Sequence, residues 1–267
     1  MDSTAPMPPA ADSASDQFYC GYRPVAPSLR MTLAVIVIVL IAAFVATAAV
    51  MSRQHGDPGT GVWHFGTPRE FVGRIVCEPY PMLLIVPKER GDVEALLLVE
   101  MGKFGGGQRA LPRDGQWARV TGYLLERDGR RMIELLDGDA AFAAVDRSAV
   151  AGADRIEAPP EVHEVADQEM FGEIVDTKCY LGAMKPGDGK AHKECATLCI
   201  RGGIPPTFIT RDNFGKRTYY LITDPAGRAV DERILPFVAD PVKILGTVER
   251  RGSLLLFRIH VTTIQRM

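Results

Sequence analysis

The run MTLAVIVIVLIAAFVATAAV, Met31–Val50, restricts this chain more than any other stretch. It carries no charge between Arg30 and Arg53, and it has the length of about 20 residues that a helix needs to cross a bilayer core. A helix of this length buried in a water-soluble core shows a polar face, and this one shows none. Residues 31–51 are therefore expected to form one transmembrane helix. Ala46-Thr47-Ala48 has the small-x-small form of a cleavage site. The apolar run is too long and its leading region too extended for a signal peptide, so a retained anchor is the favoured reading. Residues 1–30, rich in Pro, Ala, Ser and Asp, have little to bury and read as a disordered tail, in which Cys20 is a free thiol without a role. Arg23 and Arg30 precede the run and Arg53 follows it. The simpler topology is a single-pass protein with a cytoplasmic N-terminus and a large periplasmic or extracellular domain.

Beyond the anchor, 26 Gly and 19 Pro in the chain favour turns and short strands over long helices. Strands are expected around Phe71–Val76, in PMLLIVPK and in ALLLVEMG. A hairpin follows, with strands Trp117–Glu126 and Arg131–Leu135 joined at Asp128-Gly129. These strands suggest a small closed barrel over 61–136. Residues 137–168 are Ala-rich and acidic, suited to one short helix before Pro159-Pro160 breaks the chain, so they read as a connector, with Val162–Val165 leading into the next unit. The second unit, 169–267, repeats the first in outline: FVGRIV returns as MFGEIV, placing Gly73 over Gly172. WARVTGYLLERDGRRMIEL returns as VKILGTVERRGSLLLFRIH, placing Gly122 over Gly246 and the Asp128-Gly129 turn over Arg251-Gly252. Two matches in the same order point to duplication.

The strand pattern resembles the OB fold, a five-stranded barrel with a helix or long insertion between its third and fourth strands. The resemblance is architectural and carries no functional residues onto this chain. The expected fold is all-β with a short helix: tandem OB-like five-stranded barrels preceded by one transmembrane helix. A net charge of -2 and the lack of a basic stripe interleaved with aromatics speak against nucleic acid.

Chemistry concentrates in DTKCYLGAMKPGDGKAHKECATLCIRGGIPP, Asp176–Pro206, which holds three of the five cysteines. AHKECATLCIRGG reads as a short helix capped at Gly202-Gly203. On such a helix His192, Cys195 and Cys199 lie at i, i+3 and i+7 and share a face, with Cys179 approaching from the preceding loop. Four readings stand open. The first is zinc or another thiophilic metal held by Cys179, His192, Cys195 and Cys199. The second is a disulfide from Cys179 to Cys195 or Cys199, permitted by an oxidising compartment. The third is a redox centre, heme or an iron–sulfur cluster, with His192 and Met184 as available axial ligands and Arg201 near an anionic group of the cofactor. The fourth is thiol catalysis by Cys195 or Cys199 with His192 as base. KPGDGK is read as a turn, and Cys77 as a buried free cysteine. His64, His163 and His260 are read as ordinary histidines, with His64 the best outside ligand.

No Ser-His-Asp spacing, paired-carboxylate motif or H-E-x-x-H appears, so hydrolytic enzymology is weak. The anchor and the cysteine group together lead to an extracytoplasmic accessory or electron-transfer subunit of a membrane redox complex. Its expected partners are the bilayer and integral membrane subunits of a respiratory or other redox assembly. The alternative is a noncatalytic docking subunit stiffened by a disulfide.

Overall fold

The computed structural model describes residues 26–54, 59–87 and 91–267, apart from the side chain of residue 167. Most of the expected N-terminal tail, with Cys20 and Arg23, lies outside the described residues. Helix α1, Pro27–Gln54, has no buried residue. Its 28 residues extend about 42 Å at the α-helical rise, enough to cross a hydrocarbon core of roughly 30 Å. It is consistent with one membrane span, and it forms a unit apart from the rest of the chain.

Alternating burial builds the first barrel. A two-residue strand β1 (Val62–Trp63) precedes β2 (Arg69–Val76), β3 (Met82–Ile85), β4 (Glu94–Val99), β5 (Trp117–Arg127) and β6 (Arg130–Leu135). In β5 the residues Ala118, Val120 and Gly122 turn toward shelter while their neighbours are more exposed, the two-residue period of a strand with one core face. β2 pairs antiparallel with β3 and β5, β3 with β4, and β5 with β6; the parallel β4–β6 pair closes the barrel. The short helix α2 (Gly107–Ala110) lies between the third and fourth barrel strands.

The second barrel repeats this circuit. It uses β8 (Val162–Asp176), β9 (Pro206–Arg211), β10 (Arg217–Thr223), β11 (Pro241–Arg251) and β12 (Leu254–Ile259), closed by the parallel β10–β12 pair. A two-residue strand β13 (Gln265–Arg266) adds to β11. Both barrels thus have the OB-like order expected from the sequence. The four matched glycines occupy equivalent places. A Cβ at Gly73 or Gly172 would meet the carbonyl oxygen of Leu84 or Ile209 at 2.0 and 2.2 Å, and one at Gly122 or Gly246 that of Glu134 or Arg258 at 2.3 and 2.5 Å. Backbones approach there too closely for any side chain.

One expectation is corrected in detail. The second hairpin turns at Gly252-Ser253, one residue later than Arg251-Gly252, because Arg251 still pairs with Leu254. Asp128 and Gly129 both have positive φ (48° and 77°), whereas in the second loop Gly252 has φ 58° at the first position; the two turns use different primed geometries. The connector holds the short helix expected before Pro159-Pro160, with strand structure on either side of it. β7 (Phe142–Ala144) pairs with β5, α3 (Ala153–Glu157) buries Ala153 and Ile156 against Val72 and Trp117, and β8 already starts at Val162.

The barrels form one unit, Pro58–Met267, and share a core. Met82, Leu97, Leu125 and Met132 of the first pack with Leu181, Ile204, Leu221 and Leu256 of the second. Polar groups fix the register of that seam. Tyr80 donates to the Ile222 carbonyl (2.9 Å) and Tyr219 to Asp128 (2.5 Å). Buried Arg127 donates to the Tyr180 carbonyl (2.9 Å) and lies 4.1 Å from that ring. Deepest of all, Lys178 donates to the carbonyls of Glu100 and Gly102 (2.8 Å each) and stands 2.5 Å from the Glu134 carboxylate. Lys178 is 3% and Glu134 0% exposed. Burial pushes the Glu134 carboxyl above the usual range, and Lys178 opposes that rise. Losing one partner of such a pair strands the other charge, which costs roughly 3–5 kcal/mol. Lys178→Met is therefore expected to lower the unfolding free energy by about that amount, read as a fall in the denaturant midpoint, whereas Lys185→Met, in the exposed loop, should leave it unchanged.

Candidate metal centre

The insertion departs from the first connection of the second barrel, between β8 and β9, where the first barrel has only the short link 77–81. Its neck is closed by hydrogen bonds. Thr177 bonds the Pro205 carbonyl (2.5 Å) and the Thr207 hydroxyl (2.7 Å), so the entering and leaving chains are held together. Asp176, at the end of β8, accepts the Cys179 amide N–H (2.8 Å) and starts a π-helical turn, Cys179–Ala183. That turn buries Cys179, Tyr180 and Leu181.

KPGDGK is a turn, as expected, tied down where the Gly189 amide donates to Glu173 (2.5 Å). The helix that follows, α4, is Lys193–Arg201, preceded by a 3-10 turn at Lys190–His192. Lys193 anchors its start through Asp240 (2.7 Å). Its end is a Schellman motif: the Ile204 amide returns to the Cys199 carbonyl (3.0 Å) and the Gly203 amide to Ile200 (2.9 Å), with Gly203 at φ 94°. The Gly202-Gly203 cap read from the sequence is present. It also serves as a docking point, because the Gly105 amide donates to the Gly202 carbonyl (2.9 Å). A Cβ on Gly202 would lie 1.8 Å from the Lys103 carbonyl oxygen, so glycine lets the first barrel's loop come into contact.

These elements gather Cys179, Cys195 and Cys199, whose sulfurs lie within 4.8 Å of one another. Cys179 and Cys199 are buried and Cys195 is half-buried. The Cys179 and Cys199 sulfurs are 4.0 Å apart, a thiol contact and not the bond of about 2.05 Å that a disulfide requires; all three are free cysteines here. Lys103, from the loop after β4, stands 2.7 Å from the Cys195 sulfur and 3.7 Å from that of Cys199. The hydrogen bond from Cys179, helped by the Lys103 charge, holds the Cys199 thiol below its ordinary value, while the same bond and burial push Cys179 far up. Contact with Cys195 raises Lys103.

His192 does not join this group. The expected helical face assumed an α-helix through residue 192, but His192 sits in the 3-10 turn before α4. It is buried, and its Nε2 is 2.9 Å from Asp176. Asp176, Cys179 and His192 make a second group within 4.8 Å, sharing Cys179 with the first. Among the described residues, no one group unites the four ligands expected. Met184 does reach the site, its sulfur 3.4 Å from that of Cys195. Arg201 is exposed in the last turn of α4. Cys77 is buried in the first core away from the cluster, its thiol pushed up to about 11 by burial and Asp114. His64 pairs with Glu126 (2.8 Å), His163 with Glu161 (3.0 Å), and His260 is exposed; none belongs to the site.

The participant missed in the sequence is Lys103. The glycines around it (Gly102, Gly105, Gly106) were its only local signal, since a loop so built can approach another backbone closely.

Three thiols with a tetrahedral edge are suited to a soft metal: sulfurs bound at about 2.3 Å around zinc are separated by roughly 3.8 Å, close to the 4.0 Å seen here. Accessible thiols react first. In reduced, metal-free protein, iodoacetamide is expected to label Cys195 well before Cys179 and Cys199, measured by peptide mass spectrometry over time. Equal rates for the three would contradict this packing. A scan of protein-family models and searches of curated proteins and of solved structures found no match to this chain.

Proposed function

We propose that this chain is a membrane-anchored accessory subunit that holds a thiophilic metal through Cys179, Cys195 and Cys199. The convergence of three cysteine sulfurs under a lysine from the other barrel is the observation that carries the reading. Zinc, or another metal that takes thiolates, suits the donor set. Asp176 and His192, 2.9 Å apart, lie within 4.8 Å of the Cys179 sulfur, and the pair supports the ligand-bearing turn in the manner of an outer-shell pair.

An iron–sulfur cluster calls for a fourth ligand beyond the three cysteines. Heme fits the sulfurs less well. Of the axial ligands expected, His192 is turned on Asp176 (2.9 Å), while the Met184 sulfur contacts that of Cys195 (3.4 Å). The role we assign is accessory or electron-transferring within a membrane redox complex, with the barrels on the outer face and α1 in the bilayer. It is supported by the anchor helix and by a thiolate site on a rigid two-barrel body. The second reading is the disulfide staple, favoured by the Cys179–Cys199 contact and by the low Cys199 thiol.

Full-length protein purified in detergent, examined by elemental analysis and by thiol counting before and after reduction, separates the two. About one metal ion per chain, with the three thiols alkylated only after chelation, is expected from a site of this kind. Absence of metal, with two thiols protected until reduction, overturns it in favour of the staple. His192→Ala should weaken metal retention by about 10–100-fold if it supports the ligand-bearing turn; the staple predicts no change in thiol count.

A further inference from the structure

Asp176 and His192 come within 4.8 Å of the Cys179 sulfur, but beyond that pair the donors gathered at the cysteine cluster are sulfur. Lys103 is the nearest nitrogen, but its ammonium has donors and no lone pair. Asp176 and His192 are turned on each other, 2.9 Å apart. Met184 brings a fourth sulfur to 3.4 Å from Cys195, at the end of the turn Cys179–Ala183, where Gly182 (φ 145°) reverses the chain. Zinc sites draw on thiolate, imidazole and carboxylate. A thioether is uncharged and soft, and together with thiolates it selects cuprous copper.

We infer that the metal centre is selective for Cu(I), with Met184 as the sulfur that receives the ion and Cys195 as the next; this rests on the metal-binding reading above. Exposure falls along that line. Met184 is 46% exposed, Cys195 is half-buried, and Cys199 and Cys179 are 1% and 4% exposed. An ion arriving from solvent meets the thioether first and passes inward by exchange of one sulfur for the next, each thiol releasing its proton as it binds. Lys103 supplies a positive charge at 2.7 and 3.7 Å from two of the sulfurs, offsetting the negative charge that several thiolates leave around a monovalent ion.

The test uses the full chain in detergent micelles, reduced and kept anaerobic. Cu(I) is titrated against the chromogenic chelator bicinchoninate, and Zn²⁺ against a zinc-sensitive dye, for the parent protein, Met184→Leu and Cys199→Ser, with circular dichroism to verify folding. The expected result is Cu(I) retained by the parent against the chelator. Met184→Leu should lose Cu(I) affinity by about tenfold or more while its Zn²⁺ affinity stays that of the parent. Cys199→Ser should lose both metals. If the parent holds Zn²⁺ but yields Cu(I) to the chelator, copper selectivity is overturned and the metal-binding reading stands. If Met184→Leu behaves as the parent toward Cu(I), the thioether has no part and the inference fails. A folded parent that binds neither ion overturns both.

Discussion

The site depends on an exchange of lysines across the seam between the barrels. Lys178 leaves the second barrel's insertion and is buried against Glu134 and two carbonyls of the first barrel. Lys103 leaves the first barrel and ends on the cysteines of the insertion. Each charge is buried or half-buried only because the opposite barrel supplies its partner. A buried ion pair contributes little net stability against an apolar replacement, but it penalises any arrangement that separates its members. The apolar seam supplies the attraction between the barrels, and the lysines determine which sliding position of that seam is tolerated.

The repeated strand order of the two barrels shows what the insertion replaces. The connection after the first strand faces the partner barrel in both copies. In the first, Tyr80 from the short link 77–81 reaches the Ile222 carbonyl and accepts from the Val230 amide. In the second, the same connection has become a long insertion that reaches Glu100, Gly102 and Glu134. One topological position thus serves docking in one barrel, and in the other both docking and the gathering of the candidate metal ligands. The strands behind it keep the same pairing order, with two glycines in each copy pressed on neighbouring carbonyls.

Local rules made much of this legible. The uncharged run announced α1, Asp128-Gly129 the first hairpin, and Gly202-Gly203 the end of α4; each is decided by residues adjacent in the chain. The second turn was placed one residue early because Arg251-Gly252 looks like Asp128-Gly129, and the strand pairing of Arg251 with Leu254 overrode the likeness. His192 was placed on the cysteine face by helical spacing. It lies in the 3-10 turn before α4, its ring hydrogen-bonded to Asp176 near Cys179 and outside the three-cysteine group. Lys103 lies far from the cysteines in sequence, and no spacing rule connects a lysine in one barrel's loop to thiols in the other.

Placing the cysteines at the seam also has a physical consequence for any ion they hold. The three sulfurs come from the turn Cys179–Ala183 and from α4, whose end is hydrogen-bonded to Gly105 of the first barrel. Coordination restrains these elements together, so binding energy spent on the ion also restrains the seam, as it does wherever a metal site spans parts of a fold. The reverse holds by linkage: whatever shifts the first barrel's loop moves Lys103 and changes the charge seen by the ion. A site on the outer wall of one barrel would be free of this coupling. Here, a contact on the loop after β4 that moved Lys103 would alter the charge around the cysteines without touching a sulfur.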